Sequence, residues 1–171
     1  MNKVFLIGYM GVGKTTIGKR LANLMDIPFI DLDQSIEESN EMSVSKIFSE
    51  KGEAYFRQRE LEELHHFIKE QDSFILSTGG GTVMIEGAMD LMLKNGIVVW
   101  LDLPLKMILD RLKQKKDRPL LEGKKGRELE AFVEAHFAER QGQYARAHIK
   151  FDASDLNSEK LHQLHQEIHS R

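Results

Sequence analysis

The sequence predicts an α/β fold, a short central parallel sheet of five strands with helices on both faces. Three observations carry this. Apolar runs of strand length alternate with segments of helical periodicity, as strands buried between helices do. The first run, Val4-Phe5-Leu6-Ile7, stops at Gly8-Tyr9-Met10-Gly11-Val12-Gly13-Lys14-Thr15, which opens directly into a helical pattern. At 171 residues and 41% hydrophobic content the chain can bury one substantial core, so a single domain over 1–171 is the simplest arrangement.

Lys3 to Ile7 reads as the first strand, followed by the glycine loop and a helix from Lys14 to Met25 with Ile17, Leu21 and Leu24 on one face. Pro28-Phe29-Ile30 leads into a second short strand through Asp31-Leu32-Asp33. Helical patterns cover about 43–50, break near Gly52, and resume over about 53–69 with Phe56, Leu61, Leu64 and Ile68. Phe74-Ile75-Leu76 is the third strand, running into Ser77-Thr78-Gly79-Gly80-Gly81, and 97–101 is the fourth. A helix over about 104–113 precedes the polar run 114–119, unsuited to a core, and a mobile lid is expected over about 113–124. The helix at about 126–147 carries Phe132, Phe137 and Tyr144; 149–151 makes a fifth strand and Ser158 to His169 the last helix.

Composition narrows the function. A net charge of -3 argues against a nucleic-acid surface. The chain has no apolar stretch near membrane-spanning length, and Val4 to Ile7 is too short for a signal core. With no cysteine, disulfides and thiol chemistry are excluded, which fits a reducing compartment; a cytoplasmic location is expected. Nothing in the pattern demands a partner, so a monomer is expected.

The chemistry starts at the glycine loop, whose spacing is G-x-x-x-x-G-K-[ST]. Glycine allows positive φ, so successive N–H groups can turn toward one anion, and the following helix adds its positive end. A nucleotide phosphate chain fits, placing ATP against Gly11, Val12, Gly13, Lys14, Thr15 and Thr16, with Lys14 on the outer phosphates and the Thr15 hydroxyl on Mg²⁺. Residues two apart in a strand face one way, so Asp31 and Asp33 are expected to share the crevice, Asp31 toward Mg²⁺ and Asp33 toward an attacking hydroxyl. Asp102, ending the fourth strand, is an alternative magnesium partner, although it could equally cap the next helix.

Arg57 and Glu60 sit three apart on a helix. They form either a surface ion pair or a crevice-facing guanidinium, oriented by Glu60, that suits a substrate carboxylate. Gly79-Gly80-Gly81 implies either a positive-φ turn or close backbone approach. Arg118, in the lid, could neutralise charge on a moving phosphoryl group. Composition singles out no role for Arg140, and the seven histidines read as helix-surface residues.

Taken in order, the phosphate loop, Asp31-Leu32-Asp33, Phe56-Arg57-x-x-Glu60, Gly79-Gly80-Gly81, Arg118-Pro119-Leu120-Leu121 and Arg140 followed by Tyr144 resemble the shikimate kinase family over nearly the whole chain. The resemblance implies a P-loop kinase fold and transfer of the γ-phosphate of ATP to the 3-hydroxyl of shikimate, in aromatic amino acid (chorismate) biosynthesis. By resemblance, Lys14, Thr15 and Asp31 belong to the phosphates and Mg²⁺, and Lys14, Asp33 and Arg118 to catalysis. Shikimate would lie among Asp33, Arg57, Gly79, Gly80, Gly81 and Arg140, with an acceptor-binding helical region over about 33–62, and Arg111 would lie against adenine. One departure concerns the adenine-side loop, where the family often has a proline and residues 153–158 have none. The rivals are another small-molecule kinase of this fold, acting on gluconate or a nucleoside monophosphate, and a nucleotide sensor. A GTP switch lacks support, because the chain has neither N-K-x-D nor D-x-x-G after a strand.

Overall fold

Five parallel strands form one sheet in the order β2-β3-β1-β4-β5, in a computed structural model that describes residues 2–113 and 123–171. They are β1 (Lys3–Ile7), β2 (Phe29–Asp31), β3 (Phe74–Ser77), β4 (Ile97–Asp102) and β5 (Ile149–Asp152). Phe5 of β1 pairs with Leu76 of β3 on one side and Val98 of β4 on the other. Covered on both faces, β1 and β3 are almost continuously apolar, while the edge strands β2 and β5 are partly exposed.

The helices are α1 (Lys14–Met25), α2 (Leu32–Asn40), α3 (Val44–Glu70), α4 (Ala88–Asn95), α5 (Leu105–Lys113), α6 (Gly126–Tyr144) and α7 (Ser158–His169). α1 and α7 pack together, while α3, α4 and α6 gather around a 3₁₀ turn at Thr82–Met84. Gly52 interrupts α3 with φ 84° and ψ 168°, the break anticipated in the periodicity. No helix among the described residues is long and apolar enough to cross a membrane.

Helix α4 has no counterpart in the sequence reading, and α2 falls in the helical region expected over about 33–62 without being delimited there as a helix of its own. α2 also corrects the reading of Asp33 as a strand residue. β2 ends at Asp31, whose side chain accepts from the Gln34 backbone N–H and caps α2, so Asp33 lies in the first helical turn. Arg118 and most of the segment expected to form a lid lie outside the described residues.

The topology fixes where a ligand can go. From β1 the chain crosses to β2 on one side, and from β3 it crosses past β1 to β4 on the other. The crevice beyond the carboxyl ends of β1 and β3 is therefore the switch point where α/β sheets bind ligands.

Candidate active site

At the end of β1 the chain passes through Gly8 (φ 145°), Gly11 (φ 83°) and Gly13 (φ 101°). A Cβ on Gly8 would also lie 2.7 Å from the Leu101 carbonyl oxygen. Gly13 caps α1 with backbone alone, so the positive end of this twelve-residue helix opens onto the loop. Lys14 Nζ donates to the carbonyls of Gly8 (2.7 Å) and Tyr9 (3.1 Å), folding over the loop it serves. Arg111 braces the loop from α5, donating to the carbonyls of Gly11 (3.2 Å) and Val12 (3.1 Å).

A cleft of about 200 Å³ lies beside the loop, lined by Met10, Gly11, Gly13, Lys14, Thr15, Thr16, Asp31, Asp33 and residues 77–80. Thr15 Oγ1 donates to Asp31 Oδ2 at 2.8 Å, so the hydroxyl and carboxylate expected to share a cation already meet. Asp33 faces the same cleft from α2. Burial, and then the negative charges of Glu60 and Asp31, push its carboxyl up to about 6, against the opposing pull of Lys14 and Arg57.

Behind the cleft, Arg57 donates through Nη1 to Glu60 and through Nε and Nη2 to Glu53 Oε1 (3.2 and 3.1 Å). Glu60 is fully buried and also accepts from the Thr82 hydroxyl. Glu60 is therefore a core residue, and Arg57, partly exposed, spans from it to the exposed Glu53, so the two are more than a surface ion pair. Burial holds the Glu60 carboxyl above its ordinary range, with Arg57 pulling the other way. These groups explain two of the three glycines, Gly79 and Gly81. None of Gly79, Gly80 and Gly81 has positive φ. A Cβ on Gly79 would sit 2.6 Å from Glu60 Oε1 and 3.0 Å from Asp33 Oδ1, and one on Gly81 would sit 2.5 Å from Arg57 Nη2. The close-approach alternative, not the positive-φ turn, is the one realised.

Arg140 is 8% exposed on α6, and its Nη1 donates to the carbonyl of His136 (2.7 Å) and to Glu139 (3.3 Å). Its Nε is buried without a hydrogen-bond partner among the described residues. Arg57, Gly81 and Arg140 are not among the residues that line the cleft. Asp102 is not brought there: it pairs with Lys150 at 3.0 Å on the β5 side. The proline-free loop after β5 is instead held by Asp152, which accepts from the Ser154 N–H (3.0 Å) and Lys160 (2.8 Å).

The histidine reading needs correction at two positions. His136 Nδ1 meets the hydroxyl of the buried Tyr9 at 2.8 Å, and His148 Nδ1 accepts from the Val98 backbone N–H at 3.0 Å. Sequence reasoning also passed over Thr82 and Tyr9. A hydroxyl directly after three glycines and a tyrosine inside the phosphate loop were the available signals.

The sequence model of the shikimate kinase family matches residues 10–169. The chain belongs to this family. A shikimate kinase from Sulfurihydrogenibium sp. is 42% identical over 153 residues, covering 90% of this chain and 89% of that protein. The crystal structure of shikimate kinase from Bacteroides thetaiotaomicron superposes with a TM-score of 0.89 at 36% identity, covering 99% of this chain and 97% of that one. Shikimate kinase from Acinetobacter baumannii, solved in complex with shikimate, gives a TM-score of 0.84 at 31% identity over 99% of this chain and 92% of that one. The chain is thus a kinase with the P-loop kinase fold, as the resemblance implied.

Proposed function

We propose that this shikimate kinase family member transfers the γ-phosphate of ATP to the 3-hydroxyl of shikimate by in-line displacement, with Asp33 as the group that orients and deprotonates the acceptor. The observation that carries this is the position of Asp33, a cleft-facing carboxylate acted on by Lys14 from the phosphate loop and by Arg57 from α3. A carboxyl titrating near 6 is mostly ionised at neutral pH yet basic enough to take a proton, which suits general-base work.

Phosphoryl transfer leaves the protein mainly the tasks of positioning and charge stabilisation. Lys14 and the N–H groups of the loop hold the phosphates; Arg57, fixed by Glu60, and Arg140 hold the substrate carboxylate. The acceptor hydroxyl gives its proton to Asp33 as its oxygen bonds to phosphorus and ADP leaves. By family resemblance Arg118 adds positive charge at the transferring group and Arg111 flanks the adenine. Thr15 and Asp31 fit Mg²⁺, since two hard oxygens 2.8 Å apart suit an ion that keeps several waters and takes few protein ligands. When bound, the ion neutralises charge on the phosphate oxygens. We further infer a monomer in the cytoplasm, the absence of cysteine fitting a reducing compartment.

The test is ADP release with ATP and Mg²⁺, with and without shikimate, with gluconate and CMP as parallel acceptors. Shikimate-dependent release is expected. Turnover with another acceptor instead would discard the substrate, and release indifferent to any acceptor would discard the kinase assignment.

A further inference from the structure

We propose that Tyr9 and His136 form a strut between the phosphate loop and α6 that sets the position of Arg140, making both positioning residues for the acceptor side. This rests on the reading of Arg140 as a carboxylate-binding residue.

The strut joins residues 127 positions apart in sequence. Tyr9, 1% exposed within the phosphate loop, shares its hydroxyl with His136 Nδ1 at 2.8 Å. The two rings meet edge-on with centroids 5.6 Å apart, and Tyr9 also meets Phe137 edge-on at 5.8 Å. One turn earlier on α6, Phe132 stacks on His136 (5.0 Å, 21°) and fixes the plane of its ring. One turn later, Arg140 donates to the His136 carbonyl at 2.7 Å, so displacement of His136 would carry Arg140 with it.

A second anchor lies on Arg140's other side. Tyr144, one further turn along, is fully buried and donates to the Gly80 carbonyl at 2.9 Å. Phe132, His136, Arg140 and Tyr144 recur every four residues, hence on one stripe of the helix. Arg140 is therefore held between a tie to the loop that receives the donor and a tie to the turn that lines the acceptor side. The charges of Arg140 and Glu139 on α6, and of Arg57 and Glu53 on α3, all act on His136.

Such a device has a physical use. Arginine loses considerable rotamer freedom when ordered, and a clamp fixed before the substrate arrives avoids part of that loss on binding. A buried tyrosine hydroxyl needs a partner in any case, so the competing account is that His136 merely satisfies Tyr9.

The experiment compares Tyr9→Phe, His136→Leu, His136→Asn and the Tyr9→Phe/His136→Leu double variant. Readouts are kcat, both KM values, Tm and a shikimate titration followed by fluorescence of Trp100, the chain's one tryptophan, which stacks on Tyr144 at 5.8 Å. Loss of the hydroxyl should raise the shikimate KM about fivefold, the equivalent of one net hydrogen bond, with kcat and the ATP KM within about twofold. His136→Asn, whose side-chain amide can reach the place of Nδ1, should recover most of the shikimate affinity that His136→Leu loses. The double variant should be no weaker than the worse single one. A fall in Tm with both KM values unchanged, or equal rises in the two KM values, would overturn the strut. Arg140→Ala tests the reading beneath it: unchanged shikimate affinity there removes the carboxylate role itself, whereas weakened affinity there with an unaffected Tyr9→Phe removes only the strut.

Discussion

In the phosphate loop Gly8, Gly11 and Gly13 take φ of 145°, 83° and 101°, whereas Gly79 and Gly81 have no positive φ and are needed because a Cβ would strike the side chains beside them. The first set shapes backbone for a ligand. The second makes room for the buried Glu60 and for Arg57. The same contrast runs through the two halves of the site. The proposed donor half lies mostly in eight consecutive residues and would work through N–H groups and a helix end. The proposed acceptor half draws on α2, α3, the turn after β3, and α6, and would work through charged side chains in low-dielectric surroundings. A local motif can be laid down by its own sequence; the acceptor half is only as accurate as the packing that gathers it.

The largest effect should come from the residue where the halves meet. Asp33→Asn is expected to lower turnover by about 10²–10⁴-fold while ATP affinity, read by equilibrium titration, stays near that of the wild type. Burial raises the folded-state pKa of Asp33 to about 6, above the ordinary value near 3.8 that the unfolded chain would show. Between those values the folded protein keeps a proton that the unfolded chain has lost, so stability falls as pH rises through the window and stays reduced above it. Asp33→Asn removes this penalty and should be more stable than wild type at pH 8 by on the order of 3 kcal/mol, with the difference disappearing below about pH 4. Denaturant titrations at the two pH values would measure it, and an equal difference at both would contradict the assignment.

Next is Glu60→Ala, which removes the buried acceptor of Arg57 and Thr82 while Arg57 keeps Glu53, and should cost about 1–3 kcal/mol in stability. Gly79→Ala tests the space argument directly: forcing a methyl 2.6 Å from Glu60 Oε1 should destabilise by about 1–3 kcal/mol and weaken shikimate more than ATP. The smallest effect should be at Asp102. Its pair with the exposed Lys150 is worth less than about 1 kcal/mol, and Asp102→Asn should leave the Mg²⁺ dependence of turnover unchanged. A changed Mg²⁺ dependence there would restore Asp102 as a metal partner.

How much could be read from sequence follows the same division. The strand at Lys3–Ile7 and helices at Lys14–Met25 and Ser158–His169 match because their periodicity and flanking signals are local. The bounds of α2 are not legible inside the helical region expected over about 33–62, because only Leu32 and Ile36 in its nine residues are fully buried, too few to give a period. The readable signal was the cap, an Asp31 followed three residues later by Gln34. α4 is eight residues between Gly87 and Gly96, and it shares the shortness of α2. Arg57 and Glu60 were visible as a pair, but their burial depends on Thr82 and Gly81, which arrive from another part of the chain. The bond between Tyr9 and His136 spans most of the sequence, and no spacing rule reaches that far.

The most direct test of the two-halves account is Arg57→Lys, which keeps a positive charge for Glu60 but loses the planar fork suited to a carboxylate. Affinities for ATP and shikimate would be measured separately on the folded variant. The account predicts shikimate binding weakened by about tenfold or more, with ATP binding within about twofold of wild type. Equal weakening of both ligands, or no change in either, would contradict it.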